Sequence, residues 1–218
     1  MKIIDLGIKP YRDVWELQKN LVSKQLCESE SQEPILLVEH PHVYTLGFHG
    51  DEGHLIANAK QLEEMGAELI RIERGGDITY HGPGQLVVYP IINLRRRNLG
   101  VKQYVEILET AVIKTLAEFG IKASCNDHEI GVWIDYDSPQ ARKICAIGIK
   151  VSRGVTMHGL ALNVNTELSA FGNIIPCGIA DKQVTSMANE LQRHVAMESV
   201  KQLFSKFMVS LLDNHKSV

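Results

Sequence analysis

One short run of the sequence concentrates residue types that bind a ligand through the backbone. It holds four glycines and one proline within twelve residues, so it cannot be the middle of a helix or an ordinary strand. Apolar segments flank it at 68–72 and 86–92. A tight loop of this kind, with an arginine, a threonine and a histidine, is typical of loops that present backbone amides to a ligand, although a long hairpin loop is the alternative. This glycine-rich segment reads Arg74-Gly75-Gly76-Asp77-Ile78-Thr79-Tyr80-His81-Gly82-Pro83-Gly84-Gln85.

Cys177 is the candidate nucleophile. Pro176 precedes it and Gly178 follows it, which places the thiol on a rigid turn rather than inside a helix or strand. A nucleophilic cysteine also needs a lowered pKa, which a nearby cation or base supplies. The remaining cysteines have no such setting, and we expect them to be small hydrophobic residues: Cys27, Cys125 and Cys145.

Lys143 is the candidate cation. It begins an apolar run that is predicted to be a strand over 143–151, and because side chains alternate along a strand it shares a face with Cys145, Ile147 and Ile149. A lysine at the end of an apolar face is either an edge residue that extends its ammonium into water or a charge placed for chemistry. The residues alone leave both interpretations open.

The elements that position these residues follow from hydrophobic periodicity and turn residues. Strands are predicted at 3–8, 35–38, 68–72, 86–92, 129–134, 143–151 and 155–164, and helices at 11–27, 58–65, 101–119 and from Thr185 onward. The link Ser152-Arg153-Gly154 predicts a hairpin between the last two strands, and 40–47 is predicted to be an ordered loop. This order indicates an α+β fold with a mixed β-sheet packed against helices, in a single domain over 1–218.

Composition argues against several classes of function. The 218 residues carry a formal net charge of −3 and a pI near 6.3, which is unlike a general nucleic-acid binder. No apolar stretch approaches the ~20 residues that span a bilayer, and the N-terminus has no signal or transit pattern, so we expect a cytoplasmic protein without membrane contact. No Cys-x-x-Cys pair accompanies the loose cluster of His40, His42, His49 and His54, so we expect neither a disulfide framework nor a metal.

The sequence resembles the octanoyl-carrier-protein:protein octanoyltransferases. The glycine-rich segment matches their R-G-G-x-x-T-x-H-x-P-G-Q pattern. Further matches follow in order, namely Lys143 before Ala146-Ile147-Gly148, H-G-x-A-L-N at 158–163, Pro176-Cys177-Gly178, and Thr185-Ser186. The resemblance extends from the His40-Pro41 loop to Thr185-Ser186. It implies the fold of the biotin and lipoate protein ligase catalytic domains.

The resemblance also implies a reaction and its partners. An octanoyl group would pass from the thioester of acyl carrier protein to one lysine of a lipoyl domain, in the E2 subunits of 2-oxoacid dehydrogenases and in the glycine cleavage H protein. Cys177 would be the nucleophile, Lys143 would lower the pKa of its thiol, and a monomer without any cofactor would suffice. The implied acyl-binding residues are Arg74, Gly75, Gly76, Asp77, Ile78, Thr79, Tyr80, His81, Ala146, Ile147, Gly148, Gly159, Leu160 and Ala161.

Three other functions stay open. An ATP-dependent lipoate or biotin ligase would share the implied fold, but its loop resembles R-R-x-x-G-G-G-x-x-x-H-D and it needs no cysteine nucleophile. A thioesterase would use Cys177 with His158 or His81 and water as the acceptor. An acyl-binding module would hold octanoyl chains without forming a covalent adduct.

Two further roles are predicted outside the candidate pair. Arg95-Arg96-Arg97, with Lys102, forms a basic patch that would attract acidic partner proteins, with a solvated loop as the alternative. His81 is expected to brace the glycine-rich segment rather than take part in catalysis.

Overall fold

The computed structural model describes residues 1–28, 32–175 and 183–215. The candidate nucleophile Cys177 and its neighbours Pro176 and Gly178 lie outside these described residues. The strands are β1 (Lys2–Ile8), β2 (Pro34–Glu39), β3 (Val43–Leu46), β4 (Glu68–Arg71), β5 (Ile78–His81), β6 (Gln85–Pro90), β7 (Val132–Ile134), β8 (Arg142–Ser152), β9 (Val155–Asn163) and β10 (Gln183–Val184). The α-helices are α1 (Tyr11–Cys27), α2 (Ala59–Glu64), α3 (Val101–Glu118), α4 (Met187–Leu191) and α5 (Met197–Asp213), and short 3-10 helices cover Glu52–His54 and Leu168–Asn173.

Two sheets form the framework of the described residues. The larger has seven strands in the order β1-β2-β6-β9-β8-β10, with β7 also paired to β8. Its β1–β2 and β8–β10 pairs are parallel, and its other pairs are antiparallel. The smaller sheet has the order β4-β3-β5. Mixed sheets packed with helices confirm the predicted α+β class.

Amphipathic helices build the main core. α5 buries Val200, Phe204, Met208 and Leu212, and this spacing of four residues places one apolar stripe in the same cluster as α3 and the larger sheet. A second cluster joins α1 to strands β2 and β6 through residues that include Tyr11. The larger sheet is therefore packed against helices through two separate clusters.

The predicted hairpin between β8 and β9 is confirmed. Ser152 pairs with Val155, and the two residues between them, Arg153 and Gly154, have φ values of 52° and 92°. Positive φ at both positions is what a type I′ turn requires, and that turn matches the twist of its strands. The hairpin thereby fixes which residues of β8 and β9 lie opposite each other.

Two regions predicted to be loops contain strands, and these expectations are wrong in that respect. β3 lies within the predicted loop 40–47, and β5 lies within the glycine-rich segment; the two strands pair antiparallel. The final helical region also begins later than Thr185, at Met187, where the hydroxyl of Ser186 caps α4 by accepting the amide of Asn189 at 3.2 Å.

Candidate functional site

A cavity of about 470 Å³ lies between the glycine-rich segment and the β8–β9 hairpin. This volume is within the usual range of ligand pockets, about 300–1,000 Å³. Most of the residues predicted to bind the acyl chain line it, together with the candidate cation. They are Arg74, Gly75, Gly76, Asp77, Ile78, Thr79, His81, Lys143, Ala146, Ile147, Gly148, Gly159, Leu160 and Ala161.

Close backbone contact joins the glycine-rich segment to the hairpin. The amide of Gly75 donates to the carbonyl of Ile149 across 3.0 Å, so this amide is engaged within the protein. A Cβ atom at Gly148 would lie 3.0 Å from the carbonyl oxygen of Gly75 and 3.1 Å from Cδ of Arg74. A glycine at 148 is therefore what lets the segment approach β8.

Arg74 is a buried brace of the cavity wall. Its Nη2 atom donates to the carbonyl of Thr45 at 2.7 Å and to the Thr45 hydroxyl at 3.1 Å, and its Nη1 atom donates to the carbonyl of Gly75 at 3.0 Å. Hydrogen bonds from a cation are about twice as strong as neutral ones. Arg74 thus ties the glycine-rich segment to β3.

Tyr80 differs from the other residues predicted to bind the acyl chain. It is fully buried in a cluster with Tyr44 and Phe171, and its hydroxyl is 2.6 Å from Nδ1 of His42. Along β5, Thr79 and His81 alternate with Tyr80 and lie on the opposite face of the strand, whereas Ile78 shares the face and the core cluster of Tyr80 and also lines the cavity. The structure therefore places the Tyr80 side chain in the protein core and not in the cavity wall.

A chain of buried hydrogen bonds links residues from separate sequence motifs. Nδ1 of His81 is 2.8 Å from Oε1 of Gln85, whose Nε2 donates to Oδ1 of Asn163 at 2.9 Å. Asn163 in turn donates to the carbonyl of Thr185 at 3.0 Å. Sequence reasoning did not assign Gln85 or Asn163 to the site, although both are fixed positions of the motifs and both line the cavity. Their polar character within apolar runs was the available signal.

Three histidines near the cavity are neutral in the folded protein. Burial lowers the pKa of His81 to about 3, that of His158 to about 3 and that of His40 to about 4. His158 also has a φ of 61°, a conformation that non-glycine residues rarely adopt and that costs about 1–3 kcal/mol. The bond from His81 to Gln85 supports its predicted bracing role.

Lys143 occupies a defined slot at one side of the cavity. Its ammonium is 4.5 Å from the centre of the Trp133 ring and donates to the carbonyl of Ile130 at 3.4 Å. The face of an aromatic ring attracts a cation. Cys145, two residues along β8, is completely buried, and burial raises the pKa of its thiol, so it is unsuited to act as a nucleophile.

The chain on either side of 176–182 is held at the cavity. Before it, the amide of Ile175 donates to the carbonyl of His54 at 2.8 Å. After it, Val184 pairs with Lys143 in parallel β-structure, and Val184 lines the cavity. Of these flanking residues, Val184 lies at the cavity beside Lys143.

The predicted basic patch is wrong for two of its arginines. Arg97 is only 8% exposed, forms an ion pair with Glu33, and donates to the carbonyl of Leu212 at 2.6 Å. Arg96 donates to the carbonyls of Gln25 and Glu28 at the end of α1, at 2.7 and 2.6 Å. Both side chains support the fold, which leaves Arg95 and Lys102 exposed.

The described residues contain neither a candidate metal site nor a candidate membrane span. Across 1–28, 32–175 and 183–215, no three side chains of His, Cys, Asp or Glu are grouped so that they could hold a metal ion. None of the helices in those ranges combines the length and apolar character that crossing a membrane requires.

Known proteins resemble this chain in sequence and in fold. Residues 10–209 match the family described as the lipoyl protein ligase A/B catalytic domain. The octanoyltransferase of Bacteroides thetaiotaomicron is 48% identical over 98% of this chain and 96% of its own length. That of Flavobacterium psychrophilum is 47% identical over 98% of this chain and 97% of its own.

Solved structures of ligases share the fold. A bipartite lipoate protein ligase from Thermoplasma acidophilum has a TM-score of 0.74 at 16% identity, over 97% of this chain and 83% of that one. Lipoate-protein ligase A bound with ATP has a TM-score of 0.73 at 14% identity, over 97% of this chain and 86% of that one. At such low identities the likeness concerns the fold alone.

Proposed function

Because the chain belongs to the lipoyl protein ligase A/B catalytic-domain family and is an acyltransferase, we propose that it carries octanoyl groups from acyl carrier protein to lipoyl domains. The acceptors would be one lysine in each lipoyl domain of 2-oxoacid dehydrogenase E2 subunits and of the glycine cleavage H protein. Cys177 would carry the octanoyl group as a thioester between the two partners.

The main support for Cys177 is the position of the chain around it. Ile175 is hydrogen-bonded to His54, and Val184 lies beside Lys143 on β8. In this proposal the Lys143 ammonium favours the thiolate of Cys177.

In the first step, the Cys177 thiolate attacks the carbonyl carbon of the donor thioester. The tetrahedral intermediate collapses with loss of the carrier thiolate, which takes a proton from the Lys143 ammonium, and the octanoyl group is now bonded to the sulfur of Cys177. Lys143 is thereby left neutral for the second step. One thioester replaces another, so the exchange requires no ATP. The Lys143 ammonium stabilises negative charge on the attacking sulfur.

In the second step, the lysine amine of the acceptor attacks the carbonyl carbon of the acyl-enzyme. An amide forms, the Cys177 thiolate leaves, and a neutral Lys143 accepts the proton that the amine loses. Division into two steps lets one cavity serve two large protein substrates in turn.

The cavity wall suits an alkyl chain. Apolar residues line it, including Ile147, Ile149, Leu160 and Ala161. Removal of each methylene of the acyl chain from water contributes about 0.8 kcal/mol to the free energy of binding. His81 and His158 are neutral at the cavity, so neither places a buried charge beside the alkyl chain.

The transfer is tested by mass spectrometry of the acceptor. Purified protein, octanoyl-acyl carrier protein and an isolated lipoyl domain are mixed without ATP. An octanoyl mass on the domain supports the proposal. Release of free octanoate instead would identify a thioesterase, and lipoylation that requires ATP with free lipoate would identify a ligase; either result would overturn the proposal.

A further inference from the structure

The slot that holds Lys143 is built by the turn before β7 together with β7 itself, a region that the sequence motifs do not cover. Ile130 supplies the carbonyl that accepts the ammonium, and Trp133 supplies the ring beneath it. Between them, Gly131 has a φ of 127°, and a Cβ atom there would lie 2.7 Å from the carbonyl oxygen of Cys145. The turn thus packs its backbone directly against β8, on which Lys143 lies.

One side chain from α3 holds this turn in place. Oε1 of Glu109 accepts the amide of Gly131 at 3.0 Å, and Glu109 is only 6% exposed. Within the turn, the Asn126 side chain accepts the amides of His128 and Glu129, and from β8 the Lys143 ammonium donates to the carbonyl of Ile130. Glu109 therefore connects the turn to a helix of the main core.

We propose that Glu109 is a positioning residue for Lys143: by fixing Gly131 it places the carbonyl of Ile130 and the ring of Trp133 around the ammonium. This inference rests on the proposed function of Lys143, and it gives Glu109 no contact with the substrate. In this proposal Glu109 acts through its hydrogen bond to Gly131 and not through its negative charge, because Gly131 donates to a single oxygen of the Glu109 side chain.

The energetic reason is the cost of an unpaired buried amide. Loss of the Glu109 acceptor leaves the buried N–H of Gly131 without its partner, an unfavourable state that relaxation of the turn relieves. Relaxation moves the carbonyl of Ile130 and releases the ammonium of Lys143. Displacement of a catalytic group by about 1 Å is enough to reduce a rate by up to about 100-fold.

Four variants separate hydrogen bonding from charge and from general damage. Glu109→Leu removes the acceptor, Glu109→Gln keeps an acceptor oxygen without the charge, and Glu109→Asp keeps the charge but shortens the side chain by one methylene. Glu106→Leu, on the same helix, is the control, because Glu106 is exposed and forms an exposed ion pair with Lys102.

Two measurements are made on each variant. Trace acetylation with acetic anhydride, read by peptide mass spectrometry, reports how freely the Lys143 amine reacts relative to Lys150. Single-turnover formation of the octanoyl-enzyme, at several donor concentrations, reports the rate and the donor KM separately. Thermal unfolding identifies any variant that fails to fold.

The proposal predicts about a threefold or greater rise in Lys143 labelling for Glu109→Leu and Glu109→Asp, and about a tenfold or greater fall in the rate of adduct formation with little change in KM. Glu109→Gln and Glu106→Leu should stay within about threefold of the wild type in both measurements. If Glu109→Leu does not fold, Glu109→Asp decides the question.

Unchanged labelling and rate in both Glu109→Leu and Glu109→Asp would overturn the proposal, as would a Glu109→Gln variant as impaired as Glu109→Leu. The labelling arm needs no activity. If wild-type protein forms no octanoyl adduct, the proposed function fails while the labelling result still decides the role of Glu109.

Discussion

The backbone amide of Thr185 donates a hydrogen bond to the carbonyl oxygen of Lys143 across 2.9 Å. This bond joins the point where the chain returns from 176–182 to the residue that carries the candidate cation. The carbonyl of Thr185 also accepts the side chain of Asn163, at the end of the hydrogen-bond chain from His81. One residue directly after β10 thus connects β8 and β9.

Replacement of Lys143 tests the cation directly. We expect Lys143→Met to slow formation of the octanoyl-enzyme by about 100-fold or more, the usual range for loss of a group that manages proton transfer. Lys150→Met is the matched control, because Lys150 lies on the same strand and pairs with the exposed Glu73. Rates come from quenched single-turnover reactions read by intact mass. A near-normal rate in a folded Lys143→Met protein would refute the pairing of Lys143 with Cys177.

Gly148→Val should separate the glycine-rich segment from β8. The added side chain meets the carbonyl of Gly75 and the side chain of Arg74, and overpacking of this kind typically costs about 1–3 kcal/mol of stability. We expect a higher KM for the octanoyl donor and a lower free energy of unfolding. Gly172→Val is the control, since a Cβ atom there has no neighbour within 4 Å. Equal effects of the two substitutions on KM would contradict the contact as a determinant of the cavity.

Substitution of Arg97 should affect stability, whereas substitution of Arg95 should affect the KM for the donor. Loss of one partner from a buried ion pair costs about 3–5 kcal/mol, so Arg97→Met should lower the free energy of unfolding by about that amount. Arg95 is exposed, and Arg95→Glu should leave stability nearly unchanged while raising the KM for the acidic carrier protein at low salt. Urea unfolding and donor titrations measure the two effects. Unaltered stability in Arg97→Met would contradict the structural role of that residue.

Stability should fall as the pH decreases below about 6.5, the ordinary pKa of histidine. Burial holds the pKa of His81 near 3, so between these two values the unfolded chain binds a proton that the folded protein does not. That difference costs about 2 kcal/mol of stability per buried histidine between pH 7 and pH 5. Between pH 7 and pH 5, the free energy of unfolding of His81→Gln should fall by about 2 kcal/mol less than that of the wild type. His128→Gln, a substitution at an exposed position, should behave like the wild type. Urea unfolding at both pH values measures this, and an unchanged pH dependence in His81→Gln would show the prediction to be wrong.

Much of the fold could be predicted from local sequence patterns. The stripe of Val14, Leu17 and Leu21 gave the bounds of α1, and Arg153-Gly154 gave the hairpin turn. β3 and β5 could not be predicted in this way. The two strands pair with each other across more than thirty residues of sequence, and the glycines beside β5 make its four-residue run look like part of a loop.

Site residues that belong to a sequence motif could be predicted, whereas residues that reach the site only through tertiary contacts could not. The motifs indicated the lining residues of the glycine-rich segment and of the hairpin. They did not indicate Glu109 or Trp133, because a carboxylate on a helix and an aromatic residue on a strand acquire their roles only from the turn between them. Arg97 was misassigned for a similar reason, since its burial depends on Glu33 and the end of α5.

The central claim is that Cys177 carries the octanoyl group between the two partners. The most direct test is the intact mass of the protein after incubation with octanoyl-acyl carrier protein, with wild type beside Cys177→Ala. We predict one octanoyl adduct on the wild type and none on the variant, and discharge of the adduct when a lipoyl domain is added. Octanoylation of the domain by Cys177→Ala at the wild-type rate, with no adduct on either protein, would contradict the account.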